Sequence, residues 1–271
     1  MAKNTPVPLT DTGVFRMEGY VLVNEQLLRD LRALGVCAED TLLVHSSLSA
    51  LGYVEGGAET VIDTLLAAVS EGTLLMPALS YATVRPETPT FSINETPSCV
   101  GAISEAFRKR AGVRRSMHPT HSVCAMGKRA EELLAPHKDT ATPAGAGSPF
   151  ALLPQYGGKV LMLGCGINPN TSMHGVEETV MPPYLLNPTP TVYRLVDETG
   201  TVTEKAYRRH SFHDTNTSQR YERLGDVMTI AEGAVLNGRV HLIDAREMWR
   251  AAGEKLKDNP FYFVDSEMES T

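Results

Sequence analysis

Nine consecutive residues, Asn170-Thr171-Ser172-Met173-His174-Gly175-Val176-Glu177-Glu178, put a base, two carboxylates and two hydroxyls in one short stretch. If the stretch is helical, His174 shares a face with Glu177 (i+3) and Glu178 (i+4), with Cβ atoms about 5–6 Å apart. One turn then supplies both a proton acceptor and the carboxylate that orients it. Asn170 suits the N-cap, which leaves Thr171 and Ser172 in the first turn, where free N–H groups and the positive end of the dipole favour negative charge. A polar cluster on a helix surface has the same spelling. Placement argues for a site: the stretch follows the apolar run Lys159–Gly164, and junctions between buried strands and helices carry sites disproportionately.

Three other clusters have chemical content. His45-Ser46-Ser47-Leu48-Ser49-Ala50-Leu51-Gly52 closes another apolar run, and its serines and amides can hold a phosphate or a pantetheine-like chain, or simply cap the next helix. Gly52, Gly56 and Gly57 would let a ligand approach the backbone. Arg114 and Arg115 lead the segment Arg114–Ser122 and read as a local anion site or as a solvated basic pair. His118 with His121, and His210 with His213, make two HxxH pairs. Pro119 opposes a helix through His118, and neither pair has a carboxylate in a recognised metal motif, so ordinary hydrogen-bonded histidines are expected and no metal site. Acidic partners for a cationic ligand are Glu177, Glu178, Asp214 and Glu222. Asp214 lies in the polar segment 210–218, which either borders a pocket or is a surface loop.

The elements that must position these residues follow from periodicity. Leucines at 27, 28, 31 and 34 predict a helix over 24–35 that Gly35 ends. Strands are expected at 41–45, 72–76, 122–126, 159–163 and 240–243, and helices at 58–70, 100–110, 129–134, from 150, in the His174 segment up to Pro182-Pro183, and at 245–252. This alternation predicts an α/β fold, a sheet covered on both faces. Residues 83–98, with prolines at 86, 89 and 97 and several Thr and Ser, read as an irregular surface loop. Alternation at Val192, Arg194 and Val196, a turn at Glu198-Thr-Gly and a return through Val202–Ala206 predict a β-hairpin excursion. One domain over 1–271 is expected, with a loose arm at 1–20 and a hairpin-and-loop insertion at about 187–222.

Composition narrows the partners. The chain has 271 residues, 42% hydrophobic and 21% charged, which is ordinary for a globular protein. A net charge of −7 argues against nucleic acid as the main partner and fits a small cationic substrate only as a global field. No apolar run approaches the roughly 20 residues of a membrane span, and Met1-Ala-Lys-Asn-Thr-Pro lacks an apolar secretion core. Four scattered cysteines without CxxC, three of them (Cys37, Cys124, Cys165) in apolar surroundings, are expected to be reduced core thiols in a cytoplasmic protein.

Taken together, His45-Ser-Ser-Leu-Ser-Ala-Leu-Gly52, the strand end Gly72-Thr-Leu-Leu-Met-Pro77, Val113-Arg-Arg-Ser-Met-His-Pro119, Gly147-Ser-Pro149 and the Asn-Thr-Ser-x-His-x-x-Glu core ending at Glu177 resemble, in order and spacing over about residues 25–180, the antibiotic N-acetyltransferase family, which includes the aminoglycoside 3-N-acetyltransferases. The resemblance implies a three-layer α/β/α fold with a central mixed sheet, and acetyl transfer from acetyl-CoA to an amine, with an aminoglycoside as the leading acceptor. It implies that His174 is the base, Glu177 its partner and Thr171 the hydroxyl near the thioester carbonyl. It places His45, Ser46, Ser47, Leu48, Ser49, Leu51, Gly52, Ser80, Arg114, Ser116, His118 and Ser122 along the CoA groove. Glu178, Asp214, Tyr81 and His213 are then candidates for the acceptor side. Beyond residue 180 the likeness weakens, and Arg208, Arg209 and Arg220 there suit a less cationic amine that bears phosphate. A homodimer is compatible with this reading.

Overall fold

Successive residues of a strand point to opposite faces, and here each face has its own core. In the computed structural model, which describes residues 23–270, Leu42 and Val44 pack into one cluster while Leu43 packs into the other; Leu161 and Leu163 divide from Val160 and Met162 in the same way. Runs buried on both faces are apolar throughout, which is why 41–45 and 159–163 read as unbroken hydrophobic segments. Each fully buried Leu or Val contributes about 1.5–3 kcal/mol.

In chain order the elements are α1 (Glu25–Leu34), β1 (Thr41–Ser46), α2 (Gly57–Ala68), β2 (Thr73–Pro77), β3 (Thr90–Ser92), α3 (Ala102–Lys109), β4 (Arg114–Arg115), β5 (Val123–Gly127), α4 (Ala130–Leu134) and α5 (Pro149–Leu152). They continue with β6 (Lys159–Leu163), α6 (Ser172–Val180), β7 (Thr191–Val196), β8 (Val202–Tyr207), β9 (Thr217–Gln219), β10 (Ala231–Val235), β11 (Gly238–Asp244), α7 (Ala245–Asp258) and β12 (Val264–Ser266). A seven-stranded mixed sheet runs β10-β11-β6-β1-β2-β5-β4, with β6, β1 and β2 mutually parallel at its centre. Helices α1, α2 and α3 supply Leu27, Leu31, Val61, Leu65, Ile103 and Phe107 to one face. The other face receives Leu133, Phe150, Met173, Val176, Met248 and Leu256 from α4–α7. Local rules set the ends of α1: the Asn24 side chain accepts from Leu27 N at 2.9 Å, and Gly35 closes the helix at φ 105°.

The hairpin β7–β8 forms as expected, but it belongs to a separate three-stranded sheet with β3. Residues 83–98 are therefore not wholly irregular. Phe91 on β3 is fully buried with Val84, Ile93, Tyr193, Leu195 and Tyr207, a burial that proline content in the flanks obscures. Cys37 is exposed, so of the three cysteines read as core thiols only Cys124 is buried, and Cys165 is half-buried. The arm at 1–20 lies outside the described residues. Among the described residues, no helix is long and apolar enough to cross a membrane.

Candidate active site

The carboxyl ends of the three parallel strands converge on one cavity of about 1050 Å3. His45 and Ser46 enter it from β1, Pro77 from the end of β2 with Leu79 and Tyr81 from the segment after it, and Cys165 with Asn168–Thr171 from the turn after β6. Openings beyond the carboxyl ends of strands are where α/β sheets bind ligands. Gly164 makes the turn after β6 possible: its φ is 76°, and a Cβ there would sit 2.8 Å from Ala50 Cβ.

The N-cap of α6 is Thr171, one residue later than the spacing predicts, and it makes no side-chain cap bond; Asn170 Oδ1 accepts from Ser172 N at 3.1 Å just ahead of it. Gly175 lets α7 pack against the helix, since a Cβ there would lie 2.6 Å from the Trp249 ring. His174 and Glu177 then meet one turn apart, Nδ1 to Oε2 at 2.9 Å. Glu177 has no exposed surface, and its carboxylate accepts two phenols, Tyr184 through Oε1 and Tyr221 through Oε2, each at 2.9 Å. Burial and the Glu177 charge push both phenols above their ordinary range, so they stay neutral donors. A carboxylate only accepts, so His174 carries its proton on Nδ1 and presents Nε2 as a free base toward the cavity. The Tyr221 hydroxyl oxygen lies 2.8 Å from His174 Nδ1 and braces the same tautomer. Neither tyrosine carries a signal in the sequence, because each reaches Glu177 only through the tertiary fold.

Thr171 lines the cavity at the start of α6, and its hydroxyl has no partner among the described residues. With the first-turn amides, it can receive charge that develops on a carbonyl oxygen near His174 Nε2.

Histidines surround the pair. His210 lies 4.4 Å from the His174 ring, centroid to centroid, and His121 lies 4.8 Å from His210. His118 stacks on His137 at 4.8 Å. Burial holds His118, His121 and His210 well below the ordinary histidine range and lowers His45 and His137 to about 3, so these rings are neutral. The HxxH spacing does not converge: His118 Nδ1 accepts from the amides of His121 and Thr120, at 2.9 and 3.3 Å, while the His213 side chain is fully exposed. Among the described residues, no group of three or more His, Cys, Asp or Glu is arranged to hold a metal ion.

Other candidates separate. His45, Ser46, Tyr81, His213 and Asp214 line the cavity with Thr171 and His174. Ser47, Leu48, Ser49 and Gly52 lie on the adjoining loop but do not line it, and Leu51 is core. Arg114 and Arg115 make no joint anion site, because they are neighbours on a strand. Arg114 pairs with Glu131 on the surface, while Arg115 is buried and donates to the carbonyls of Ala78, Ile93 and Thr96 and to Ser122 Oγ. Ser80, Ser116, His118 and Ser122 are likewise buried behind the wall: Ser80 donates to Pro119 O, Ser122 to Ala78 O, and Ser116 bonds His137. Glu178 does not line the cavity; its Oε1 accepts from Ala144 N at 2.8 Å and lies 3.2 Å from His210 Nε2. Arg209, one of the three arginines noted after residue 180, also lines it, as do Arg85, Glu87, Phe212 and Tyr193, which no motif in the sequence singles out for that role.

An α/β sheet with a cavity at its parallel strand ends and a buried histidine–glutamate pair facing that cavity defines a class of acid–base site. The particular family follows from comparison: the chain belongs to the aminoglycoside 3-N-acetyltransferase family, whose sequence profile matches residues 43–257. It is 37% identical over 177 residues to aminoglycoside N(3)-acetyltransferase VIII of Streptomyces fradiae, covering 59% of this chain and 62% of that one. It is 34% identical over 174 residues to the prophage-derived aminoglycoside N(3')-acetyltransferase-like protein YokD of Bacillus subtilis, covering 56% and 64%. These matches thus span less than two thirds of the relatives' length. Among solved structures, a mutant of aminoglycoside acetyltransferase AAC(3)-IVa in complex with a gentamicin superposes with a TM-score of 0.75 at 27% identity, covering 92% of this chain and 93% of that one. A binary complex of AAC-IIIb with CoASH superposes with a TM-score of 0.71 at 25% identity, covering 86% and 95%.

Proposed function

We propose that this protein transfers the acetyl group of acetyl-CoA to an amine, with an aminoglycoside 3-amino group as the leading acceptor. The observation that carries the reading is the His174–Glu177 pair, whose Nδ1 is tied to a fully buried carboxylate while Nε2 faces a cavity of about 1050 Å3. Family membership and the neighbours solved with a gentamicin and with CoASH point the same way. The wall suits a thioester arm. His45 Nε2 is buried there without a hydrogen-bond partner, an orphan that a bound polar chain would relieve. His45, Ser46, Ser104 and Thr171 are the residues to hold it. The cytoplasm, where acetyl-CoA is made and used, is the setting that goes with this chemistry.

The residues act as follows. The amine nitrogen gives up protons as the amide forms, and His174 Nε2 takes one of them while Glu177 stabilises the imidazolium. Tyr184 and Tyr221 keep Glu177 aimed at Nδ1. Thr171 receives the charge developing on the carbonyl oxygen, a role worth about 3–4 kcal/mol in acyl transfer. The segment 187–222 contributes Tyr193, Arg209, His210, Phe212, His213 and Asp214 and forms the acceptor wall.

A second reading of the acceptor has its own observation. Asp214 is already paired with Arg209 at 3.2 Å, and Arg85 lines the cavity alongside Glu87, so carboxylates there do not outnumber guanidinium groups. That balance suits an amine that also carries an anionic group. Thiol release from acetyl-CoA, measured against aminoglycosides and phosphate-bearing amines in parallel, tests both readings. Turnover with aminoglycosides alone supports the first, turnover with the anionic amines alone the second, and no thiol release with any amine overturns acetyl transfer itself.

A further inference from the structure

Each of the two adjacent glutamates of α6 holds a different histidine. Glu177 holds His174, and Glu178 Oε1 lies 3.2 Å from His210 Nε2. The Glu178 carboxylate is itself fixed by the amide of Ala144 at 2.8 Å. The His210 ring lines the cavity 4.4 Å from the His174 ring, and its Nδ1 has no hydrogen-bond partner among the described residues. His210 thus repeats the arrangement of His174: one nitrogen on a buried carboxylate, the other free. Two copies of that arrangement at one cavity exceed what a single proton transfer needs.

Acetylating an ammonium group moves two protons. The C–N bond forms and the C–S bond breaks; nitrogen loses one proton before attack and a second after it, sulfur gains one to become a thiol, and the other goes to water. A single base must discharge the first proton before it accepts the second. We propose that Glu178–His210 is a second proton-accepting pair that takes the first proton from the acceptor ammonium, leaving His174 neutral to take the second and deliver it to the departing sulfur. This assignment rests on the acetyl-transfer reading.

The surroundings of His210 are consistent with that order. Glu178 and His174 face it from α6, His121 and His118 from the loop before β5, and Arg208, Arg209, His213 and Asp214 flank it in its own segment. Burial and the nearby His174 keep His210 neutral at rest, as a proton acceptor must be. Rings 4.4 Å apart do not both stay charged, so His210 must release its proton to cavity water before His174 is charged.

The test is the pH profile of kcat/KM for one acceptor with wild type, His210→Asn and Glu178→Gln, from about pH 6 to about pH 10, a range ending near the pKa of a free alkylammonium. His210→Asn is expected to fall about 100-fold behind wild type at the acid end, and the deficit to close as the acceptor loses its proton in solution. Glu178→Gln follows the same profile with about a tenfold deficit, and it supplies the answer should His210→Asn fail to fold. A deficit equal at every pH marks a structural role and overturns the proposal, as does no deficit. If wild type turns over normally and His210→Asn matches it, only this assignment falls. If wild type transfers acetyl to no amine, the functional reading falls and takes the assignment with it.

Discussion

One wall of the cavity grows from the ends of β1, β2 and β6 and carries His45, Ser46, Thr171 and His174; the other is assembled from Arg85, Glu87, Tyr193 and the segment Arg209–Tyr221. In the first wall, each side chain sits close in sequence to a buried parallel strand, so the sheet sets its place. In the second, contributors come from three separate stretches, held by the β3–β7–β8 sheet, by the isolated bridge between Leu186 and His210, and by Arg115 reaching to Ile93 O and Thr96 O. The contrast teaches that the His174–Glu177 pair is anchored to the core of the fold, while the opposite wall, His210 included, hangs on loop architecture. Substitutions at His45, Thr171 and His174 should change turnover, and those at Arg85, Glu87, Arg209 and Asp214 the choice of acceptor.

The largest expected effect tests the anchored wall. His174→Ala should lower kcat by about 1000-fold while leaving CoA affinity, measured by calorimetry, nearly unchanged. Near-normal turnover would place the base elsewhere and erase the distinction between the walls.

Acid should loosen the first wall at His45 and the packing behind the cavity at His137. The folded-state pKa values of His45 and His137 lie at about 3, below the 6.5 of the unfolded chain. Between these values the unfolded chain binds more protons, so stability is full above about pH 6.5 and is lost as pH falls toward 3. Each of the two rings should remove about 1.4 kcal/mol per pH unit below pH 6. Urea melts at pH 7 and pH 5 check this, and equal midpoints would show that these rings are not buried neutral.

Gly175→Ala drives a Cβ into Trp249. It should cost about 1–3 kcal/mol in a denaturant melt, and lower kcat with it by tilting α6 and His174. Lost stability with intact kcat would show that the α6–α7 contact does not position the base.

The smallest effect belongs to the second wall. Arg209→Ala frees Asp214 from its partner and should lower KM for a polycationic aminoglycoside by about 2–5-fold with kcat unchanged, the size of an exposed ion pair. A raised KM would instead favour the anionic amine.

Much of the anchored wall is legible before folding. Strands at 41–45 and 159–163 and the α6 segment with His174 above Glu177 all follow from local periodicity and short-range spacing, which backbone geometry translates directly. The serine and arginine loops are legible as positions along the chain but not as surfaces. Ser80, Ser116, His118 and Ser122 turn inward because the polypeptide needs them to satisfy its own buried carbonyls, amides and His137. A motif cannot tell a hydroxyl offered to a ligand from one consumed by the backbone.

The sequence by itself determined the alternating α/β architecture and the pairing of a base with a carboxylate, because both depend on residues within one helical turn or one strand. Only the tertiary structure decided that Tyr184 and Tyr221 lock Glu177, that Glu178 Oε1 lies beside His210 and Ala144 N, and that Arg115 is a strut. Those contacts join residues up to 47 positions apart, as Tyr221 and His174 are. Which partner a buried polar group finds is set by packing and by the cost of leaving it unpaired.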